Sequence, residues 1–352
     1  MNLTIRMMRP DEAQAAQKQA RKAFGWLEVL FIPKPKQALV AVLDERIVGG
    51  FFYNVKTSSG VTLGDPTFFF VDPALQGQGI GKQLCDAGIR HMWEQEGCDA
   101  VATFVRDDNV PSWGALVRNG FVRTSLPKMA RALGFGSTAK LFFTTVYGIA
   151  LGYDYYIALP EKAATRRYEK KSGAGQVGVY LLLHMLLLAP ALIFSEAGLS
   201  LAAAFGIVFA GNVLAGYLGT LFSQKRKWRF RQPGGGIFIC FINAAFGIFF
   251  PMCGNWYPAR YENTPRFRRD LALNSICSWL FLLAIYFAGF WLLGAYRVLT
   301  YAVQLSGILL ILRCIPVPPF GPYGGWRVFR WNKAIFVLLA IPSIVVFIFT
   351  FL

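Results

Sequence analysis

Residues 72–82 read Asp72-Pro73-Ala74-Leu75-Gln76-Gly77-Gln78-Gly79-Ile80-Gly81-Lys82. Val61–Asp72 ahead of them is an extended, apolar segment containing Phe68, Phe69, Phe70 and Val71, and Gly79–Glu96 behind has the spacing of a helix. A strand that passes through a glycine-rich turn into a helix gathers main-chain N–H groups at the positive end of the helix dipole. That arrangement suits a phosphate group. Two other phosphate loops are excluded. A dinucleotide site needs Gly-x-Gly-x-x-Gly and a later acid, whereas Gly77, Gly79 and Gly81 are spaced two and two. A kinase-type loop needs Ser or Thr after Gly-Lys, and Gln83 stands there.

Outward from the loop, residues 2–160 alternate strands and helices. Leu3–Met7 reads as a strand and Asp11–Phe24 as a polar helix with acids in its first turn. Ala38–Leu43 and Ile47–Asn54 form a hairpin around Asp44-Glu45-Arg46. Ala100–Val105 is a strand, and Val110–Asn119 is a helix closed by Gly120. A second motif, Asn109-Val110-Pro111-Ser112 followed by Asn119-Gly120-Phe121, opens and closes that helix.

These two motifs together resemble the GNAT N-acetyltransferases. Gln76-Gly77-Gln78-Gly79-Ile80-Gly81 matches the family's Gln/Arg-x-x-Gly-x-Gly/Ala loop, and the Asn109 motif is similar to its second cofactor motif. The resemblance covers about residues 1–160 and implies an α+β fold: a mixed, mainly antiparallel sheet flanked by helices. It implies acetyl-CoA as co-substrate. Main-chain N–H groups of Gln78, Gly79, Gly81 and Lys82 would hold the pyrophosphate, within a loop that begins at Gln76 and Gly77. Main chain at Phe70 and Val71 would pair with the pantetheine arm, and Asn109 and Ser112 would lie along the cofactor. An amine would attack the thioester, helped by positioning and by a general base. The family's tyrosine acid position carries Leu116, and Trp113 cannot replace it as an acid. Asp65 and Asp72 are the candidate bases, although Asp65-Pro66 and Asp72-Pro73 also read as turn dipeptides.

The remainder has a different solvent. Hydrophobic residues make up 55% of the chain and the net charge is +17, which excludes a disordered protein. Residues 1–170 hold 21 Lys+Arg against 16 Asp+Glu, whereas residues 171–352 hold 15 against 3. The cations of the second half punctuate uncharged apolar runs, Gln176–Phe194, Gly198–Gln224, Gln232–Ala259, Leu271–Tyr296, Val298–Leu312 and Ala334–Leu352, and those of 18 or more residues are long enough to cross a bilayer. This pattern predicts an all-α polytopic membrane bundle with the lipid bilayer as partner, and it argues against nucleic acid. A basic linker, 161–176, joins the acetyltransferase-like part to a membrane part, 177–352.

No secretory signal opens the sequence, so the N-terminal part is expected in the cytoplasm. Basic clusters at 162–171, 225–231, 260–269 and 327–333 fall on one side only if the third run turns back. The run starts Pro233-Gly234-Gly235-Gly236 and ends Pro251-Met252-Cys253-Gly254, poor material for a straight helix. The expectation is five spans plus a re-entrant segment, 233–250, with the C-terminus outside; six spans are the alternative. Arg313 is expected to snorkel to the inner interface. His184, Asn212, Asn243, Asn274 and Gln304 lie at membrane depth, as hydrogen-bonding or functional groups. The insert 127–151 contains an apolar stretch, Ser137–Ala150, that reads either as an in-plane interfacial helix or as one packed on the bundle.

Residues 199–333 also resemble, distantly, a site-2-type intramembrane metalloprotease, through Cys314-Ile315-Pro316-Val317-Pro318-Pro319-Phe320-Gly321. The expected aspartate is Gly321, and Asn212-Val213-Leu214-Ala215-Gly216 stands where the zinc motif would be. With His91 and His184 as the two histidines, no metal site is expected, and the resemblance implies a scaffold without hydrolytic activity. The six cysteines have no CxxC spacing; Cys85 and Cys98 read as free thiols and the other four as small apolar residues. Two functions remain open. One is a membrane-tethered N-acetyltransferase acting on an unidentified amine; the other is an acetyl-CoA-binding sensor with little transferase activity.

Overall fold

A computed structural model describes residues 3–24, 28–106, 109–145, 151–160, 173–194, 198–223, 227–258, 262, 264–292, 296–317 and 320–351. The whole 162–171 cluster, residues 225–226 and 260, and 146–150 of the insert lie outside the described residues. The chain divides into two compact units, Met1–Tyr147 with Tyr153–Glu169, and Gly148–Gly152 with Lys170–Leu352.

The first unit is built on a seven-stranded sheet. Its strands are β1 (Leu3–Met7), β2 (Gln37–Leu43), β3 (Arg46–Ser58), β4 (Val61–Val71), β5 (Ala100–Arg106), β6 (Val122–Thr124) and β7 (Tyr153–Ala158), in the order β1-β2-β3-β4-β5-β7-β6. All neighbours are antiparallel except β4 and β5. The β2–β3 turn sets Asp44 and Glu45 at positive φ, the geometry that matches the twist of a tight hairpin. Helix α1 (Ala13–Ala23) lays Ala16 and Ala20 against Phe52 and Phe70. Helix α2 (Ile80–Glu94) packs Leu84, Ile89 and Met92 against Phe51, Tyr53 and Val101, so the consecutive Phe51 and Phe52 serve opposite faces. Each such buried side chain contributes about 1.5–3 kcal/mol. Gly88 permits this close approach, because a Cβ there would lie 2.5 Å from the Phe51 ring.

Helices α4 (Leu126–Leu133) and α5 (Phe135–Thr144) fold back on the sheet of their own unit, where Met129, Leu133, Leu141 and Phe142 join Leu63 and Tyr155. Ser137 Oγ donates to Ser58 O at 2.9 Å and Lys140 Nζ to Thr57 O at 2.5 Å. The apolar residues of the insert had a sheet face to cover, which a hydropathy reading cannot see. Phe135 and Phe143 stay exposed.

The second unit is helical. Among the described residues, four helices are long and apolar enough to cross a membrane: Gly173–Ile193, Gly198–Thr220, Pro265–Phe290 and Lys333–Phe351. They correspond to α6 (Gly173–Phe194), the continuous α7 (Gly198–Phe205) and α8 (Gly211–Thr220) joined by a π turn at Gly206–Ala210, α10 (Pro265–Phe290) and α13 (Lys333–Phe351). Helix α11 (Arg297–Arg313) has 17 residues, roughly 26 Å, just under the hydrocarbon thickness of about 30 Å. The third apolar run is not one long helix. It holds only the nine residues of α9 (Ile237–Ala245), and its flanks are strands β8 (Trp228–Arg231) and β9 (Asn255–Pro258), which pair antiparallel. The two ends of the run therefore meet at one small sheet.

Polar side chains fasten this unit. His184 is fully buried; Nδ1 lies 2.7 Å from Tyr180 O, and Nε2 accepts the Met252 N–H at 2.9 Å, so both ring nitrogens are used. Asn274 donates to Gly216 O, and Asn243 to Ile239 O in its own helix. Gln304 is exposed. Arg313 departs from the snorkelling expectation: it is 4% exposed and donates to Asn212 Oδ1 at 2.8 Å, Ser278 Oγ at 2.8 Å and Ser275 O at 3.2 Å. Acceptors within the bundle satisfy the guanidinium, so it has no need to reach the interface. Asn212→Leu leaves one arm of that cation without its acceptor. We expect it to lower the unfolding midpoint of the detergent-solubilised protein by several degrees, and Asn243→Leu to leave it nearly unchanged, as read by thermal scans.

Candidate functional site

The site begins where β4 ends. Two β-bulges shape that end. Val48 is the extra residue between Val42↔Ile47 and Ala41↔Gly49, and its carbonyl accepts the Asp72 N–H at 2.7 Å. Thr67 is the extra residue between Phe52↔Phe68 and Tyr53↔Pro66, and it follows Pro66, which has no N–H for the ladder. Strands β4 and β5 pair only at Leu63↔Ala100 and Gly64↔Val101. Thr103 Oγ1 then donates to Pro66 O at 2.9 Å, and beyond it the β5-facing edge of β4 has no strand partner among the described residues. Phe70 and Val71 pair on their other edge with Gly50 and Gly49.

The loop follows directly. Asp72 caps the short 3-10 turn Pro73–Leu75. Gln76 Nε2 lies 3.4 Å from Val71 O, folding its side chain back on the strand. Gln76, Gly77, Gln78, Gly79 and Lys82 are exposed, and α2 starts at Ile80. Gly79 caps the helix at φ +80, Gly77 has φ +87, and a Cβ on either would meet nothing within 4 Å. The backbone is thus bare on the outside of the turn, where the first-turn N–H groups of α2, including Gly81 and Lys82, have no partner in their own helix. A Cβ on Gly81 would instead meet Phe69 and Val71 at 3.4 Å. This is an open cradle for an anion.

The second motif is divided between two tasks. Asn109 is the N-cap of α3 (Val110–Arg118), but its side chain makes no capping bond, and Ser112 in the first turn is half-buried. Asn119 is structural: Nδ2 donates to Asp86 Oδ1 at 2.8 Å and to Ala115 O at 2.9 Å, tying α3 to α2. Leu116 is 6% exposed and belongs to the core beside Leu84, so that position faces packed side chains.

The two carboxylates differ sharply. Both oxygens of Asp72 are spent on structure, Oδ1 on the Ala74 N–H at 3.0 Å and Oδ2 on Gln19 Nε2 at 2.5 Å. Asp65 is 1% exposed on β4, roughly 20 Å of strand before the loop, with Oδ2 3.2 Å from Lys56 Nζ on β3 and Oδ1 buried without a hydrogen bond. Burial pushes its carboxyl up from the usual 3.8 to about 6, and the Lys56 ammonium opposes the rise. The bulge at Thr67 and the Gln19–Asp72 contact were not anticipated from sequence; Pro66 inside a strand was the available sign of the first.

Among the described residues no three His, Cys, Asp or Glu side chains cluster suitably for a metal. His91 lies 3.4 Å from Glu96, which also accepts from Tyr53 OH at 2.7 Å. Cys85, Cys98 and Cys240 are free and buried; burial pushes the Cys85 thiol up to about 12 and that of Cys98 to about 11.

The Asp65 shift has a definite consequence for stability. Its folded value lies above its unfolded one, so folding favours the protonated form. That contribution is complete below pH 3.8 and disappears as pH rises through about 6. Asp65→Asn cannot ionise. The difference in stability between wild type and D65N should therefore change steadily from pH 4 to 6 and level off above, as followed by denaturant titration; a pH-independent difference contradicts the assignment.

Comparison with known proteins bears on the same unit. Residues 4–121 match the family model described as "Acetyltransferase (GNAT) family". The mycothiol acetyltransferase of Paenarthrobacter aurescens is 33% identical over 111 residues, 31% of this chain and 32% of that protein. That of Kocuria rhizophila is 32% identical over 119 residues, 32% of this chain and 37% of that protein. The chain thus spans about a third of the length of the curated relatives it matches. Among solved structures, the ribosomal-protein-S18-alanine N-acetyltransferase of Escherichia coli aligns with 17% identity and a TM-score of 0.33, over 48% of this chain and 100% of that one. The family match coincides with the strand, loop and helix just described, and the N-terminal unit carries a GNAT-family acetyltransferase domain.

Proposed function

We propose that the protein is a membrane-tethered N-acetyltransferase that moves an acetyl group from acetyl-CoA to an amine. The observation that carries this reading is the bare, positively polarised turn at Gly77–Gly79, set at the end of a strand whose neighbour has parted from it. N–H groups of Gln78, Gly79, Gly81 and Lys82 hold the pyrophosphate, with Gln76 and Gly77 shaping the turn. The free edge of β4 at Phe70 and Val71 takes the pantetheine amides, and Asn109 and Ser112 flank the cofactor. A main-chain N–H at the Thr67 bulge is suited to polarise the thioester carbonyl. The amine forms the new C–N bond, the C–S bond breaks, and CoA leaves as a thiolate. Asp65 is the better base, since both Asp72 oxygens are already engaged.

Four helices of spanning length support a multi-pass membrane protein. In our reading the acetyltransferase domain is cytoplasmic, 233–250 is re-entrant, and the C-terminus lies outside. Pairing of β8 with β9 supports this by bringing both ends of the third run together. Arg313, next to Cys314–Gly321, donates to Asn212, which stands where a site-2-type protease would carry its zinc motif. A guanidinium on Asn212 is incompatible with a metal ion there, which supports a scaffold without hydrolytic activity. The mycothiol acetyltransferase likeness supports the acetyl group more than the acceptor, because it covers so little of either protein. A membrane-associated amine is the acceptor that suits a multi-pass anchor. The apolar core position of Leu116 favours the second reading, an acetyl-CoA sensor with little turnover.

Release of free CoA thiol by the full-length protein in detergent, with a panel of amines, separates the two. Turnover is expected. Gly79→Val forces a branched residue to φ +80 and should weaken CoA binding at least about ten-fold. Asp65→Asn should lower kcat about 100-fold or more with CoA binding intact, whereas Asp72→Asn should stay within a few-fold. CoA binding without thiol release establishes the sensor reading instead. A C-terminal reporter active only in the cytoplasm should be silent.

A further inference from the structure

The second unit has a groove that the acetyltransferase reading does not use. We infer that it holds one acyl chain of an anionic phospholipid, with the head group at Lys227 and Arg229; this rests on the membrane reading above. The groove has a volume of about 280 Å³ and is lined by Val177 of α6, Ala210 of the π turn, Val213, Leu214 and Tyr217 of α8, and Trp256 of β9. Every lining side chain is apolar or aromatic. The indole N–H of Trp256, the group best able to attract a polar ligand, is spent on Val213 O at 2.8 Å. A wall with nothing polar to offer selects an alkyl chain. Irregular backbone at Gly206–Ala210 sets the shape of this wall, and such π turns are frequent at functional sites.

The mouth of the groove is cationic. Both bordering helices end at β8: a Cβ on Gly173, the first residue of α6, would lie 3.6 Å from Arg229 Cα, and Ser223 just after α8 accepts the Trp228 indole N–H at 2.7 Å. The segment 227–231 carries Lys227, Arg229 and Arg231. Lys227 is exposed, Arg229 is half-buried, and neither forms an ion pair with a carboxylate among the described residues. Arg231 is occupied over the Tyr257 ring at 5.4 Å. The half of the chain after residue 170 has only three acids to set against 15 cations, so compensating charge must come from outside. A lipid phosphate supplies it where the alkyl chain leaves the groove.

The test is native mass spectrometry of the full chain in mild detergent, with dioleoyl phosphatidylglycerol or dioleoyl phosphatidylcholine added. We expect one phosphatidylglycerol per chain to survive detergent removal. It should be favoured over phosphatidylcholine by about five-fold for each head-group cation. K227Q/R229Q should erase that preference while phosphatidylcholine binding persists, and Ala210→Trp should fill the groove and abolish retention of both. Should A210W fail to fold, quenching by brominated acyl chains serves instead: the component lost in Trp256→Phe should be the quenched one. Equal retention of the two lipids by the wild type overturns the proposal, as does undiminished retention in folded A210W. A homodimer dissociated by A210W also overturns it, in favour of a second copy of the chain. Recovery of the protein without detergent in the soluble fraction sinks the membrane reading itself, an outcome distinct from membrane extraction without lipid preference.

Discussion

Strands β4 and β5 run parallel and pair through two residues each before they separate. The remainder of the acetyltransferase unit is arranged around that separation. A parallel pair requires a crossover, and α2 supplies it, so the helix N-terminus is fixed at the end of β4. The Thr67 bulge and Pro66 turn the outer half of β4, and Thr103 closes the apex by bonding to Pro66 O. The far side of β5 is filled by β7. The result is a strand edge without a further strand partner among the described residues, leading directly to the left-handed glycine turn at Gly77–Gly79.

In the second unit the governing constraint is that buried polar groups must find partners inside the protein. The non-helical backbone between β8 and β9 meets it through side chains on neighbouring helices. His184 of α6 takes the Met252 N–H, Tyr323 OH donates to Pro251 O, and Asn255 donates to Pro322 O. Arg327 donates to Trp256 O at 3.0 Å and lies over Tyr257 at 4.3 Å. The same few residues that look functional by position are thus the fasteners of an irregular segment.

The loop at 76–82 was legible because glycine at a strand-to-helix junction leaves few conformations, and Gly77 and Gly79 both adopt the left-handed one. Strand and helix periods placed most elements of the first unit within a few residues. In the insert, Leu141 and Phe142 are apolar for any environment, and only the sheet face beside Leu63 shows where these two pack. Arg313 was misread for a related reason: its acceptors, Asn212 and Ser278, lie 101 and 35 residues away in sequence. The bases were the least legible. Asp65-Pro66 and Asp72-Pro73 are alike as dipeptides, yet one forms a turn cap and the other sits mid-strand beside Lys56.

The chemistry weighs these departures unequally. An alkylamine has a pKa near 10.4 and is almost wholly protonated near neutrality, so a transferase must remove a proton before the nitrogen can attack. A thiol has a pKa near 8.5, and its thiolate departs at modest cost without a donor. Loss of the tyrosine at position 116 therefore removes the more dispensable of the two proton transfers. Asp65 near pH 6 is half-ionised at a pH where an ordinary aspartate is fully charged, and its buried, unbonded Oδ1 retains capacity to accept a proton. On these grounds Leu116 argues against an acid catalyst and leaves acetyl transfer chemically sound.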